Sequence, residues 1–341
     1  MERKLASVQQ ITEILPHDNA DTLEIAKVLG WNVIVKKGGF KPGDLCVFFE
    51  VDSILPEKPE FEFMRNKHFK VKTIRLRGKI SQGLCLPMDI LVHPECTPTT
   101  FNVGDDVSAI LDIRKKEDPA VMNTEAKGLR PHFVPKTDEI RIQSVPEFLD
   151  RHKGIAMYIT EKMDGTSVSY YFRDGEFGVC SRNLEVKEND ANIYWKMAKD
   201  NDVQNKMKQY NYNVVIQGEI IGPGIQKNKY LVDKHYLFMY NVYDLNTCSY
   251  FDFEKFVRLM KMLELQTVPI LNEHFVLNNT IDELVELSKG TSVCTNMLRP
   301  KDGPQLREGI VIRSLTEGFD DEVGRISFKV INPDFLIKHG E

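Results

Sequence analysis

The sequence predicts an α+β protein of two domains: a small all-β barrel, then a larger domain built mainly on antiparallel sheet. Three observations carry this expectation. The chain has 341 residues, roughly twice the usual domain length. Its N-terminal third breaks into short β-type runs separated by glycine and proline turns. Beyond about residue 120, apolar strands alternate with amphipathic helical stretches.

In the first part the runs are WNVIVKKGG, FKPGDLCVFFEVDSILP, FKVKTIRLRGKI, GLCLPMDIL and VGDDVSAIL. Five or so strands in about 100 residues fit an OB-type barrel, whose open face and loops commonly bind oligonucleotides. This places an OB-fold nucleic-acid-binding domain at 1–118. Residues 114–138 carry charge and three prolines without a period, which suits a linker, so the second domain is taken as 119–341. There the strands GIAMYIT, TSVSYYF, EFGVCS, NVVIQGEII, YLFMYNVYD, EGIVIRS and RISFKV are interrupted by helices. FEKFVRLMKML places Phe253, Phe256, Val257 and Met260 at helical spacing, and IDELVEL repeats it more briefly.

Composition narrows the function class. Charged residues at 28% beside 42% hydrophobic ones describe a globular chain, with no apolar run of the ~20 residues that span a bilayer. The start lacks the apolar core of a secretory signal, so an intracellular protein is expected, its compartment open. Six cysteines stand without CxxC or zinc spacing and read as reduced thiols. The net charge of −5 argues against a general nucleic-acid coat, yet Arg65 to Lys79 holds seven Lys/Arg and no acid. Arg75, Arg77 and Lys79 alternate with Ile74, Leu76 and Gly78, so on one strand the cations would share a face and bind RNA phosphates. A solvated edge that discourages aggregation is the plainer reading of such a strand.

The chemistry is carried by TEKMDGTSVS, which sets Lys162 before the turn dipeptide Asp164-Gly165. Alone this is weak, because Asp-Gly is a common hairpin turn. In order, however, it is followed by CSRNLE with Arg182 and Asn183, QGEIIG with Glu219, NVYDL with Tyr243, REGIVIR with Glu308, and SFKVIN with Lys329.

This series resembles the covalent nucleotidyltransferases, the polynucleotide ligases and mRNA capping enzymes, and within them the ATP-dependent RNA ligases with an N-terminal OB domain. The β-rich module comes first, VPKTDEIRIQSVP resembles the lead-in of that group, and only twelve residues follow Lys329, which predicts no C-terminal barrel. The resemblance implies an antiparallel-sheet adenylyltransferase domain that uses ATP and Mg²⁺ or Mn²⁺ to carry AMP on Lys162. The implied reaction joins 3′-hydroxyl and 5′-phosphate RNA ends through lysyl-AMP and AMP-RNA. A monomer acting on nicked duplex RNA, with no membrane partner, is expected. Lys162 and Lys329 are the implied catalytic pair. Glu161, Arg182, Asn183, Glu219, Tyr243, Glu308 and Lys329 make the cofactor set, Tyr243 by stacking on adenine, and Glu219 and Glu308 would also hold metal.

A lysine amine attacks only when neutral, so its pKa should be lowered by Lys329 and a bound cation, and no carboxylate should touch it. Glu161 should therefore point away, as strand alternation allows. Relatives often carry K-x-K in the last motif, where Lys329 has Ser327 and Ile331 at those distances, so Lys227, Lys229 or Lys338 could assist. The motifs alone leave open a DNA ligase or capping-type enzyme, and a non-catalytic OB-fold RNA-binding protein.

Overall fold

The computed structural model describes residues 3–92, 100–115, 125–299 and 303–341. Cys96 and part of the expected linker lie outside the described residues. Two compact units emerge: Met1–Asp118 with Arg141–Arg151 and Pro333–Glu341, and Pro119–Ile140 with His152–Asn332.

In the first unit five antiparallel strands lie in the order Trp31–Lys36, Leu23–Val28, Ala6–Pro16, Leu45–Phe49, Leu84–Pro87. The long central strand Ala6–Pro16 carries a register shift between Ile11 and Glu13. Such a bulge bends a strand, so its two halves pair with different neighbours. Ala6 and Val8 pack with Val47, Phe49 and Phe61, whereas Ile11 packs with Trp31, Val33 and Phe48. Neither this strand nor Leu23–Val28 is among the expected runs, since glutamines, glutamates and lysines interrupt their apolar positions.

VGDDVSAIL, expected as a strand, is a series of turns with one bridge, Ser7 to Asp106. Its acidic side chains accept local backbone N–H groups, Asp105 from Asn102 and Asp106 from Ser108, which competes with ladder pairing. Arg141–Arg151 belongs to this unit because Ile142 is fully buried, Gly30 N–H donates to the Gln143 carbonyl at 2.8 Å, and Arg141 pairs with Asp52 at 2.9 Å.

The basic segment does not form one strand. Thr73–Leu76 and Lys79–Gln82 are a hairpin whose turn residues Arg77 and Gly78 both have positive φ, 47° and 91°. Positive φ at both centres is the geometry that follows the right-handed twist of paired strands. Arg75 pairs with Asp334 at 2.7 Å and Lys79 with Asp18 at 2.5 Å, so the cations are not aligned on one face.

The second unit holds two sheets. Seven strands run Ala126–Leu129, Leu184–Val186, Glu176–Cys180, Thr166–Arg173, Val214–Ile221, Tyr236–Asp244, Ser249–Tyr250; four run Ile270–Val276, Ala156–Lys162, Gly309–Ser314, Ser327–Ile331. One face of the larger sheet presents Val168, Tyr170, Val214 and Ile216 to Trp195, Met207, Phe256 and Leu259 from three helices. Alternation turns Ser167, Ser169, Tyr171, Val215, Gln217 and Glu219 to the other face.

Across that face lies the segment expected as a linker. Arg130 donates to the carbonyls of Val134 and Ser181 and to Ser169 Oγ, and Gln217 donates to the Pro135 carbonyl at 2.7 Å. Those bonds, with the edge strand Ala126–Leu129, fix a stretch that has no periodicity of its own.

Two substitutions separate core from edge. Ile216→Ala, at a fully buried position, should cost about 2–5 kcal/mol in urea unfolding followed by a probe in this unit. Leu129→Ala, 81% exposed, should stay within about 0.5 kcal/mol.

Candidate active site

Lys162 ends its strand opposite Gly309, in the same row as Ile331. Two residues back, Thr160, Val311 and Lys329 form the next row of that face, so Lys162 and Lys329 point to the same side of the sheet. Glu161 turns to the opposite side. There it is buried and its Oε2 accepts the amides of Val293 and Cys294 at 2.8 and 3.2 Å, capping the helix Val293–Leu298. The Glu161 side chain therefore points away from Lys162, as strand alternation allows.

Glu308 precedes the strand Gly309–Ser314, and both its oxygens lie 2.7 Å from Lys162 Nζ. This overturns the expectation that no carboxylate touches the lysine. Glu219 enters from the larger sheet and accepts the Gly165 amide at 3.2 Å. Gly165 is required by this close approach, because a Cβ there would lie 2.3 Å from the Ile220 carbonyl oxygen. Asp164 donates its amide to the Tyr230 hydroxyl at 2.8 Å, and its carboxylate pairs with Lys229 at 2.8 Å. Lys229 is carried by a turn in which Gln226, Lys227 and Asn228 are left-handed, with φ of 43°, 58° and 47°. Asn228 braces that turn through two bonds to Val232.

Three carboxylates therefore share the site with two ammonium groups. Burial, reinforced by the neighbouring acids, pushes Glu219 up to about 8 and Asp164 up to about 7. Burial alone would lower Lys162, but Glu308 and Glu219 outweigh it and hold the lysine above its ordinary value. Glu308, Glu219 and Asp164 offer hard oxygen donors, and a divalent cation that keeps several waters would favour the ionised form of the raised acids. Glu219 and Glu308 would hold it. Among the described residues no three side chains already converge on one metal position, since Glu308 is turned onto Lys162.

Arg182 pairs with Asp138, and the carbonyl of exposed Asn183 accepts the Arg130 amide at 3.1 Å. Lys329 is tied by its amide to Ile140 at 2.8 Å, beside Glu139. Lys227 is exposed, and Lys338 lies in the helix Pro333–His339 of the first unit.

Tyr243 is not brought to Lys162. It sits opposite Val215, four strand positions from Glu219, edge-on to Tyr250 at 5.0 Å. On the same strand Phe238 stands opposite Glu219, and Tyr240 is the extra residue where the ladder skips between Gln217 and Gly218; Tyr240 lies beside Glu219 and under Arg313, whose guanidinium is 5.7 Å from the ring centre. A bulge re-aims a side chain, and no alternation pattern announces one. Lys229 was one of three interchangeable lysines in sequence; only the left-handed turn singles it out.

The raised Glu219 acid gives a pH signature. Between about 4.5 and about 8 the unfolded chain has released the proton that the folded chain keeps, so this group's contribution to stability falls as pH rises through that window. Glu219→Gln should raise Tm in metal-free buffer more at pH 8.5 than at pH 5, by thermal melts. Added Mn²⁺ should stabilise the parent protein more at pH 8.5 than at pH 6, and the variant little at either.

A family model described as an OB-fold domain matches residues 5–88, and one described as RNA ligase matches residues 155–331. No curated protein matches the chain. Among solved structures, an RNA ligase of Naegleria gruberi with PPi is 35% identical, with a TM-score of 0.87 over 99% of each chain. Variants of it with ATP and Mn, and with AMP and Mn, are each 34% identical over 99% of both chains, with TM-scores of 0.86 and 0.87. The chain is a member of the RNA ligase family.

Proposed function

We propose that this chain is an ATP-dependent RNA ligase that joins a 3′-hydroxyl to a 5′-phosphate, with AMP carried on Lys162. The observation that supports it most is the largely buried Lys162, gripped by Glu308 at 2.7 Å among Glu219 and Asp164. A lysine so placed is a nucleophile stored in its charged form. ATP, AMP and Mn appear in the Naegleria ligase complexes, and the same substrate and a divalent metal are proposed here.

In the first step Lys162 Nζ loses a proton and attacks the α-phosphorus of ATP. The P–N bond forms as the bond to the β-phosphate oxygen breaks, releasing pyrophosphate. The ammonium proton passes to water once Glu308 no longer clasps the lysine. A divalent ion, when bound, neutralises phosphate charge and draws carboxylate charge from the lysine. Lys329, on the same sheet face, and Arg182 would offset charge on the phosphates, with Asn183 supporting the Arg182 loop. An oxygen of the RNA 5′-phosphate then attacks the adenylate phosphorus and the P–N bond breaks. Finally the 3′-hydroxyl attacks the 5′-phosphate and AMP leaves. A nicked duplex and a monomeric enzyme complete the proposal.

The hairpin cations Arg75, Arg77 and Lys79 are proposed to meet RNA phosphates. The pairs of Arg75 with Asp334 and Lys79 with Asp18 are half exposed, the weak and salt-screened kind that phosphate can replace.

Labelled ATP followed by denaturing electrophoresis should leave AMP on the parent protein and none on Lys162→Ala. Lys162→Arg should also be dead, since a guanidinium stays protonated. Label persisting on Lys162→Ala would refute the nucleophile. Neutralising Arg75, Arg77 and Lys79 together should spare this labelling yet weaken RNA binding. The slope of log affinity against log salt should flatten by roughly 0.7–0.9 per lost phosphate contact.

A further inference from the structure

The face of the larger sheet that carries Glu219 does not end at the catalytic lysine. Four residues along the same strand, about 13 Å by strand rise, Val215 and its partner Tyr243 occupy that face beyond the segment tied down at Pro135. There a cleft of about 520 Å³ opens, lined among others by Phe133, Arg173, Tyr243, Leu245, Asn246 and Cys248. Nothing in the three steps above uses it.

Its chemistry is specific. Phe133 is held edge-on to Tyr171 at 5.2 Å and Tyr243 edge-on to Tyr250 at 5.0 Å, so both rings are braced before any ligand arrives. The Arg173 guanidinium lies 4.6 Å from the Phe133 ring centre, a planar cation beside an aromatic wall. Arg173 is 45% exposed, and its acidic neighbour Asp174 is tied to it at 3.4 Å and to Asn213 at 3.0 Å, which moderates the local negative charge. Asn246, whose Oδ1 accepts from Asn213 at 3.4 Å, adds a carboxamide NH₂ able to donate to a base edge. Rigid aromatics, a stacking guanidinium and a carboxamide are what single-stranded RNA recognition uses, because every unpaired base has a π-face and free edges. A base still paired in a duplex cannot enter a cleft of this kind without leaving its stack.

We propose that this cleft binds an unpaired nucleotide of the RNA substrate, a few nucleotides from the end being joined. The proposal rests on the ligase reading and reassigns Tyr243 from adenine to RNA. The ligase would then hold a single-stranded tail or displaced base next to the junction, in addition to the phosphates.

Cys248 supplies a probe already in place. It is exposed in the cleft, whereas the other described cysteines are buried. The rate of its alkylation by N-ethylmaleimide, followed on its own peptide by mass spectrometry, is measured for the full chain alone, with ATP and Mn²⁺, with a fully paired nicked duplex, and with a nick bearing a short unpaired tail. The tailed RNA should slow alkylation at least fivefold; ATP and the fully paired nick should not. Arg173→Ala should weaken binding of the tailed RNA about tenfold relative to the parent. Unchanged Cys248 reactivity with tailed RNA, in a protein that still forms the Lys162 adenylate and seals, overturns the cleft proposal and leaves the ligase reading intact. Protection by ATP alone would make the cleft part of the nucleotide site, and equal protection by the fully paired nick would remove the unpaired base; either result also overturns it. Absence of any Lys162 adenylate is a separate outcome that strikes the ligase reading.

Discussion

The ion pair between Lys162 and Glu308 is the constraint around which the second unit is organised. Removing a lysine from water is costly, and an isolated buried ion pair seldom repays its desolvation. It persists here because the backbone leaves both groups little freedom: Lys162 closes one strand, Glu308 immediately precedes the neighbouring strand, and the two strands pair at Lys162 and Gly309. Glu161, one residue away, would add another acid if it shared that face. Strand alternation sends it to a helix N-terminus, where two amides satisfy one of its oxygens.

The same pair explains the polar joinery around it. A site that holds surplus carboxylate needs rigid walls, or the acids would simply turn to solvent. Arg130 pins the Pro131–Ile140 stretch to the large sheet. Glu139 at its end bonds Ser327 at 2.5 Å and Arg313 at 3.1 Å, and Arg313 reaches Thr160 on the Lys162 strand. Burial would raise the Glu139 acid, but Arg313 and Arg325 more than offset this and keep it ionised. Three strands of the smaller sheet are thereby cross-linked through one carboxylate, and the Lys329 strand keeps its register with the Lys162 strand.

What the sequence disclosed and what it hid have physical reasons. Strands buried on at least one face, such as Thr166–Arg173 and Val214–Ile221, are apolar enough to be legible, and the amphipathic helix Phe253–Met262 is legible by its period. Ala6–Pro16 was hidden by its bulge and its exposed polar half. The order of Lys162, Glu219, Glu308 and Lys329 disclosed the chemistry through its resemblance to the covalent nucleotidyltransferases. Contacts were another matter. That Glu308 would clasp Lys162, that Lys229 would pair with Asp164, and that Tyr240 would approach Glu219 in place of Tyr243 depend on register, a left-handed turn and a bulge. Arg75 and Lys79 misled because an alternating pattern looks the same whether the chain runs straight or folds back at Arg77-Gly78.

The account stands most directly on the charge state of Lys162 in the resting protein. Titration of its Nζ by heteronuclear NMR of the isotopically labelled protein in metal-free buffer measures that state, with Lys162→Ala assigning the signal. The account predicts an ammonium that persists past 10.5, the ordinary lysine value, because Glu308 and Glu219 outweigh burial. A midpoint near neutrality in the absence of metal would contradict it, since the lysine would then be ready to react without anything releasing it from Glu308.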